Sequence, residues 1–376
     1  KLESLAEFSK GRGYTKNDLV EEGDPIILYG RLYTNYETVI ETVDTFVKKK
    51  QNSIQSSGNE VIVPSSGESS EDIARAAVVS KAGILLGGDL NIIRIKNEVN
   101  PLFLALSISN SNGNIKKELS KRAQGQATVH LHNSDLKEVN LQYPIIDEQI
   151  KIGKFFRRLE HIIALQQRKL EKTKALKSAY LAEMFPAEGE RVPKRRFEGF
   201  TGEWKEYALG EMGQTFSGLS GKTKEDFGHG TAEFVTYMNV FSNAISDINM
   251  TEKVVKDPKQ TELMYGDVLF TTSSETPHEV GMSSVWLDSR PNVYLNSFCF
   301  GYRPTMQLDY LFLAYLLRSN SVRKQMELLA QGISRYNISK SKVMEVTVLL
   351  PKIEEQQKIG NFFKQLDDKI SIEQRK

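Results

Sequence analysis

Apolar positions along the 376-residue chain follow two distinct rhythms. Over residues 147–184, alternating steps of four and three pick out Ile152, Phe156, Leu159, Ile163, Gln166, Leu170, Thr173, Lys177, Tyr180 and Met184. Seven of the ten are apolar or aromatic, the 3.5-residue seam of a coiled coil. No proline falls between Pro144 and Pro186, Gly153 is the one glycine of the predicted helix, and Asp147 and Glu148 suit a helical first turn. The pattern predicts a helix of 38 residues, ~57 Å long. Near the other end Ile359, Phe363, Leu366 and Ile370 repeat the seam. Elsewhere the rhythm shortens. Runs at 25–29, 60–63, 267–271 and 283–287 read as strands, bounded by Gly, Ser, Asn and Asp. Single helices are predicted over 101 to about 121 and 309 to about 330. The mixture predicts an α+β fold built around twisted sheets.

The two seams belong to a repeat. At an offset of 207, residues 144–169 and 351–376 share 14 identities in 26 positions, where ordinary composition gives roughly one or two. In the same register Ala123-Gln124-Gly125 falls on Ala330-Gln331-Gly332. The period is far too long for a solenoid, so this is a duplicated module. It divides the chain into a mixed domain over 1–143, a long helix over 144–186, a Pro-, Gly- and charge-rich linker over 187–206, a second mixed domain over 207–350 and a second helix over 351–376. The first seam needs a partner, and the simplest one is the other copy. The first unit has no counterpart of the lead-in through Trp204, and the second helix stops short of its twin, so a longer protein is expected.

Charge adds one local feature. The formal net charge is only +2, but residues 151–200 carry 13 Lys+Arg against 6 Asp+Glu. That surplus suits either a solvated helix face or a phosphate-facing surface. The single cysteine, Cys299, excludes an internal disulfide and a Cys-based zinc site. The longest apolar runs, such as 310–317, are well short of the ~20 residues that span a bilayer. A cytoplasmic protein with no membrane contact is expected.

Catalytic motifs are not evident. Gly218-Leu219-Ser220-Gly221-Lys222-Thr223 lacks the first glycine of a P-loop, because position 216 is Phe. Asp24-Pro25-Ile26-Ile27 lacks the second proline and the aromatic of an amino-methyltransferase motif. His130 and His132 have no third ligand at metal spacing, so no metal site is expected. Two large domains without an active site suggest binding.

The ordered motifs resemble those of the specificity subunits of type I restriction–modification enzymes. They are Pro144, Glu148, Gln149 and Ile152; Leu181-Ala182-Glu183-Met184-Phe185; Arg196-Phe197-Glu198-Gly199-Phe200 ahead of Trp204; and, repeated, Pro351, Glu355, Gln356 and Ile359. The resemblance covers essentially the whole chain. It implies two tandem α/β target-recognition domains, separated by two long antiparallel coiled-coil helices in a pseudo-two-fold internal repeat. It implies a non-catalytic subunit that binds double-stranded DNA, each domain reading half of a split, asymmetric site. Two adenine methyltransferase (modification) subunits using S-adenosylmethionine, and restriction subunits using ATP and Mg, are the implied partners; this chain itself holds no cofactor. Helix pairing would run through Ile152, Phe156, Leu159, Ile163 and Leu170 on one helix and Ile359, Phe363, Leu366 and Ile370 on the other. A non-enzymatic coiled-coil scaffold for other proteins is the alternative.

Four loops recur at matching places, and DNA contacts call for basic, hydroxyl and amide side chains on loops. Residues 10–16 match 217–224, giving Lys10, Arg12 and Lys16 against Lys222 and Lys224. Residues 29–35 match 237–243, with Tyr29 on Tyr237, giving Arg31, Tyr33 and Asn35 against Tyr237 and Asn239. Residues 65–70 match 272–276, giving Ser65 and Ser66 against Ser273 and Ser274. Residues 124–128 match 331–336, giving Gln124 and Gln126 against Gln331, Arg335 and Tyr336.

Overall fold

The computed structural model describes residues 1–125 and 128–375. It divides into two compact units, residues 1–165 and 166–376, and each is described by itself.

In the first unit a five-stranded sheet runs in the order Ala6–Lys10, Leu90–Ile95, Glu60–Pro64, Ala77–Val79 and Val39–Ile40. Its pairs are antiparallel except the last, Val39–Ile40 with Ala77–Val79. The strands are apolar on both faces because both are covered. Val61, Val63 and Ile93 join a core completed by Leu104, Ala105 and Ile108 of the helix Pro101–Ser109. Their neighbours Ile62, Ile92 and Val79 turn into a second cluster with Leu86 and Ile27. This is the two-residue side-chain alternation of a strand expressed as two cores.

The second unit repeats the plan with different residues. Its antiparallel sheet runs Gly213–Ser217, Cys299–Pro304, Val268–Thr271 and Ser283–Val285. Val268, Phe270, Phe300 and Tyr302 face one cluster, while Leu269 and Cys299 face another around Trp286. The predicted strands at 25–29, 60–63, 267–271 and 283–287 correspond to Asp24–Ile27, Glu60–Pro64, Val268–Thr271 and Ser283–Val285.

The helices predicted as single are broken. Pro101–Ser109 is followed by a separate Asn114–Arg122, and Tyr310–Leu316 by Asn320–Leu329. At the first break the Asn110 carboxamide accepts the Asn112 N–H at 3.2 Å, a local bond that competes with the helical ladder. At the second, Arg318 donates to the carbonyls of Ser283, Val240, Phe241 and Asn243, holding the chain where it leaves the helix.

The first long helix is Ile146–Met184 and the second Ile353–Gln374. Each is rooted in its own domain by the same device. The Gln149 side chain accepts the Asn100 N–H at 2.8 Å and donates to the Pro144 carbonyl at 2.8 Å. Gln356 accepts the Asp309 N–H at 3.1 Å and donates to the Pro351 carbonyl at 2.9 Å. Asn100 and Asp309 in turn cap the helices Pro101–Ser109 and Tyr310–Leu316. The repeated glycines make room: Gly153 lies against Leu102, and Gly360 against Asp309 and Phe312.

Within the second unit the two helices run antiparallel. Thr173 donates to Glu373 at 2.9 Å, Lys177 pairs with Asp367, Tyr180 meets Phe362 edge-on at 5.0 Å and Phe185 stacks on Phe363 at 5.8 Å. Through the first three of these pairs, rising numbers on one helix meet falling numbers on the other. The expected apolar seam is corrected in its details. Ile359 and Phe363 enter the main core of their own domain beside Met184, Phe185 and Phe312, with Leu366 packed against it, while Leu170 and Ile370 are half-buried. In the first unit Ile152 is half-buried, whereas Phe156, Leu159 and Ile163 are exposed by 45%, 39% and 54%. Within the second unit the helix contacts extend as far as Glu373, which meets Thr173 and Lys169.

The segment expected as a linker is packed rather than free. Lys205–Ala208 pairs with Thr347–Leu350, and Trp204, only 1% exposed, sits against Phe185 and Phe312. Arg196 reaches Glu355 at the root of the second helix. Its apolar anchors, unlike its overall composition, decide its behaviour.

Candidate nucleic-acid interface

Both units build one feature in the same way. In the first, Ser66–Gly67 pairs with Val129–His130, and Gln124 and His130 exchange backbone bonds of 3.2 and 2.8 Å. In the second, Ser273–Ser274 pairs with Tyr336–Asn337, and Gln331 and Asn337 exchange bonds of 2.9 and 2.8 Å. The loop between each bridge begins with a glycine at φ 144° (Gly125) or 142° (Gly332). A Cβ there would stand 1.9 Å from the Thr128 carbonyl oxygen, or 2.0 Å from that of Arg335. Only glycine closes this loop.

A tyrosine braces each ribbon from beneath. Tyr33 donates to the Ser66 carbonyl at 3.0 Å, and Tyr237 to the Ser273 carbonyl at 2.7 Å. The counterpart of Tyr237 is therefore Tyr33 rather than Tyr29. Burial pushes the Tyr33 phenol up to about 12 and raises Tyr237 as well, so both remain protonated donors at neutral pH. The first loop joins the same surface: Asn133 donates to the Ser9 carbonyl at 3.0 Å, and Lys340, at the matching position, to the Ser217 hydroxyl at 2.6 Å.

The structure sorts the expected contact residues. Lys10, Arg12, Lys16, Asn35, Gln124, Lys224, Gln331 and Arg335 are exposed on these loops, and Tyr33, Tyr237 and Tyr336 are half-buried. Others are committed inside the fold. Arg31 pairs with Glu37 and Asp44 at 2.7 and 2.9 Å. Lys222 lies between Asp226 and Asp257 at 3.7 and 3.4 Å. Asn239 is fully buried and donates to the Asp247 and Met250 carbonyls. Ser65, Ser66, Ser273 and Ser274 are buried beneath the ribbons. These seven are corrected from surface contacts to internal supports. Gln126 lies outside the described residues.

Sequence reasoning passed over Glu68 and Glu275, which are exposed immediately beyond the short strands Ser66–Gly67 and Ser273–Ser274. The offset of 207 places one on the other, a signal already present in the repeat. His130 and His132 stack with ring centroids 6.4 Å apart, and among the described residues no group of three His, Cys, Asp or Glu forms a metal-binding cluster. Among the described residues no helix is long and apolar enough to cross a membrane.

A duplicated α+β module, each copy carrying a braced, loop-tipped ribbon and a helical root, defines a class of tandem recognition protein. Residues 1–175 and 201–376 each match the model of the type I restriction modification DNA specificity domain, and the chain belongs to that family. It is 25% identical over 329 residues to a protein of Methanocaldococcus jannaschii provisionally named the type I restriction enzyme MjaX specificity subunit, covering 82% of this chain and 71% of that one. It is 20% identical over 341 residues to the MjaVIII specificity subunit of the same organism, covering 88% and 77%. The fold is similar to that of the S subunit of a type I restriction–modification system from M. genitalium, with a TM-score of 0.59 and 15% identity over 100% of this chain and 90% of that one. A chain from a structure of type I R-M complex assembly gives a TM-score of 0.54 and 17% identity over 100% and 91%.

Proposed function

We propose that this chain is the non-catalytic, DNA-reading subunit of a type I restriction–modification complex. Each recognition domain reads one half of a split, asymmetric double-stranded site. The long helices set the gap between the halves and recruit two adenine methyltransferase subunits, which carry S-adenosylmethionine, and through them restriction subunits that use ATP and Mg. The observation that carries the reading is the pair of ribbons. Their frames are the same, Gln-Gly closure over a tyrosine brace, while exposed side chains at the tip differ, Thr128 in one copy against Arg335 in the other. Such a design suits two related readers facing successive major grooves, whose favourable centres lie ~34–36 Å apart. Exposed Lys10, Arg12 and Lys16 on the first domain, and Lys224 on the second, supply phosphate contacts that fix register without reading sequence.

Mapping methylated adenines in cells that express the chain with its modification partners tests the proposal. A single bipartite motif is expected, and exchange of residues 1–143 for another domain of the family should change one half of it and spare the other. A methylome unchanged by the exchange, together with no preference of the chain for any duplex, would favour the scaffold reading.

A further inference from the structure

The ribbon of the second unit borders a cleft of about 730 Å³ whose wall includes Tyr237, Ser274, Glu275, Glu279, Ser334 and Arg335. Most of these groups are engaged. Tyr237 donates to Ser273 and stacks on Phe241 with centroids 6.0 Å apart. Glu279 accepts from the hydroxyls of Thr276 and Ser274, bonds that hold its carboxyl below the usual range, the Thr276 bond foremost. Arg335 and Glu275 differ. Both are exposed, and among the described residues no opposite charge lies within 4.0 Å of either. Each stands on a short strand or its loop held by backbone bonds, Arg335 next to Tyr336 and Glu275 next to Ser274. The cleft thus presents a fork of donors and a carboxylate acceptor, held by a fixed frame and not satisfying one another.

We propose that Arg335 and Glu275 are specificity-determining residues of the second recognition domain and read guanine and cytosine in the major groove. This rests on the DNA-reading function above. The guanidinium matches the N7 and O6 acceptors of guanine bidentately, and the carboxylate accepts from the cytosine N4 amino group. A carboxylate so placed repels the phosphate backbone, so a base edge is the partner that makes its position favourable. The first copy supplies the contrast. It has Glu68 at the place of Glu275 but Thr128 at the place of Arg335, so its half-site lacks this bidentate guanine contact.

The test is selection from a pool of random-sequence duplexes by the purified full chain, wild type against R335A and E275Q, followed by binding at several salt concentrations. The wild type should select a motif whose second half contains a fixed guanine and cytosine. R335A should lose preference at the guanine alone, weakening the selected site by about 5- to 150-fold with the salt slope unchanged. E275Q should lose preference at the cytosine. Uniform weakening by R335A on all duplexes, with the slope of log K against log salt reduced by about 0.9, would mark a phosphate contact and overturn the proposal. So would an unchanged motif in both variants, which leaves the DNA-reading function standing. A wild type that selects no motif overturns both.

Discussion

Arg196 grips the carboxylate of Glu355 with two N–H donors, Nε to Oε1 at 2.8 Å and Nη2 to Oε2 at 2.7 Å. Glu355 is 1% exposed at its side chain and Arg196 13%, so the pair is almost dry. A third donor of the same guanidinium holds the Gly202 carbonyl at 2.6 Å, close to the buried Trp204. The segment between the two modules is thereby tied to the root of the second helix. Arg196→Ala strands a buried carboxylate, and a loss of about 3–5 kcal/mol is expected. Both tryptophans, Trp204 and Trp286, lie in the second unit, so fluorescence-detected urea unfolding reads that unit selectively. R196A/E355Q should recover part of the loss, and equal stability of wild type and R196A would refute the tie.

The two root glycines should respond differently to the same change. A Cβ at Gly360 would lie 2.6 Å from both the Asp309 carboxylate and the Phe312 backbone nitrogen, which cannot yield without disturbing a helix cap. G360A should therefore destabilise by about 1–3 kcal/mol despite the better helix propensity of alanine. At Gly153 the nearest atom is Leu102 Cδ2 at 3.1 Å, the end of a side chain that can shift. The propensity gain of ~1 kcal/mol then offsets the contact, and thermal unfolding of G153A should be close to wild type.

Acid sensitivity in the first unit should involve Glu60. Burial alone would raise its pKa, but the Ser57 hydroxyl and N–H, with Arg94 at 3.4 Å, outweigh it and hold the carboxyl below the ordinary 4.5. A folded-state pKa below the unfolded one gives stability that is complete above the unfolded value and lost as pH falls through the folded value. The stability difference between wild type and E60Q, followed by hydrogen exchange at the Ile62 amide, should be constant above pH 4.5 and shrink below it. A difference that grows on acidification would reverse the sign and reject the assignment.

If the long helices set the gap between half-sites, four residues inserted after Leu165 should widen it. The insert adds ~6 Å of helix. A four-residue insertion locally unwinds a coil while keeping its seam directed at the partner. The site lies upstream of the stretch that meets Glu373 and Asp367, so those contacts are kept. Methylome mapping should find both half-sequences intact and the gap longer by about one to two base pairs, since a base pair rises ~3.4 Å. Altered half-sequences with a fixed gap would remove the helices from that role.

Much of this molecule was legible in its sequence because the repeat prints it twice. The Gln149/Gln356 pair is visible in the sequence as part of the repeated motif, while its role at the helix roots is visible only in the fold. The first helix followed from its seam and from the absence of proline, and it ends at Met184 as the pattern implies. What stayed hidden depends on partners that periodicity does not encode. Arg31 and Lys222 look like free loop cations, and only the fold shows the carboxylates that hold them. Asn110 and Arg318 sit in stretches that read as continuous helices until polar contacts break them. The seam through Phe156 and Leu159 reads as a pairing surface, yet both side chains are exposed in the first unit, and a heptad pattern does not name the partner of each turn.

The closure of each ribbon has a consequence for how such a protein changes over generations. Gln124 with His130, and Gln331 with Asn337, are joined through main-chain atoms alone. The tip they close in the second copy leaves Ile333 95% exposed, with Ser334 and Arg335 beside it also in solvent. None of these three side chains is buried in a core, so a new residue there leaves the fold undisturbed. Preference can then drift by single substitutions without passing through an unstable ancestor, much as an antibody loop matures on an unchanging framework.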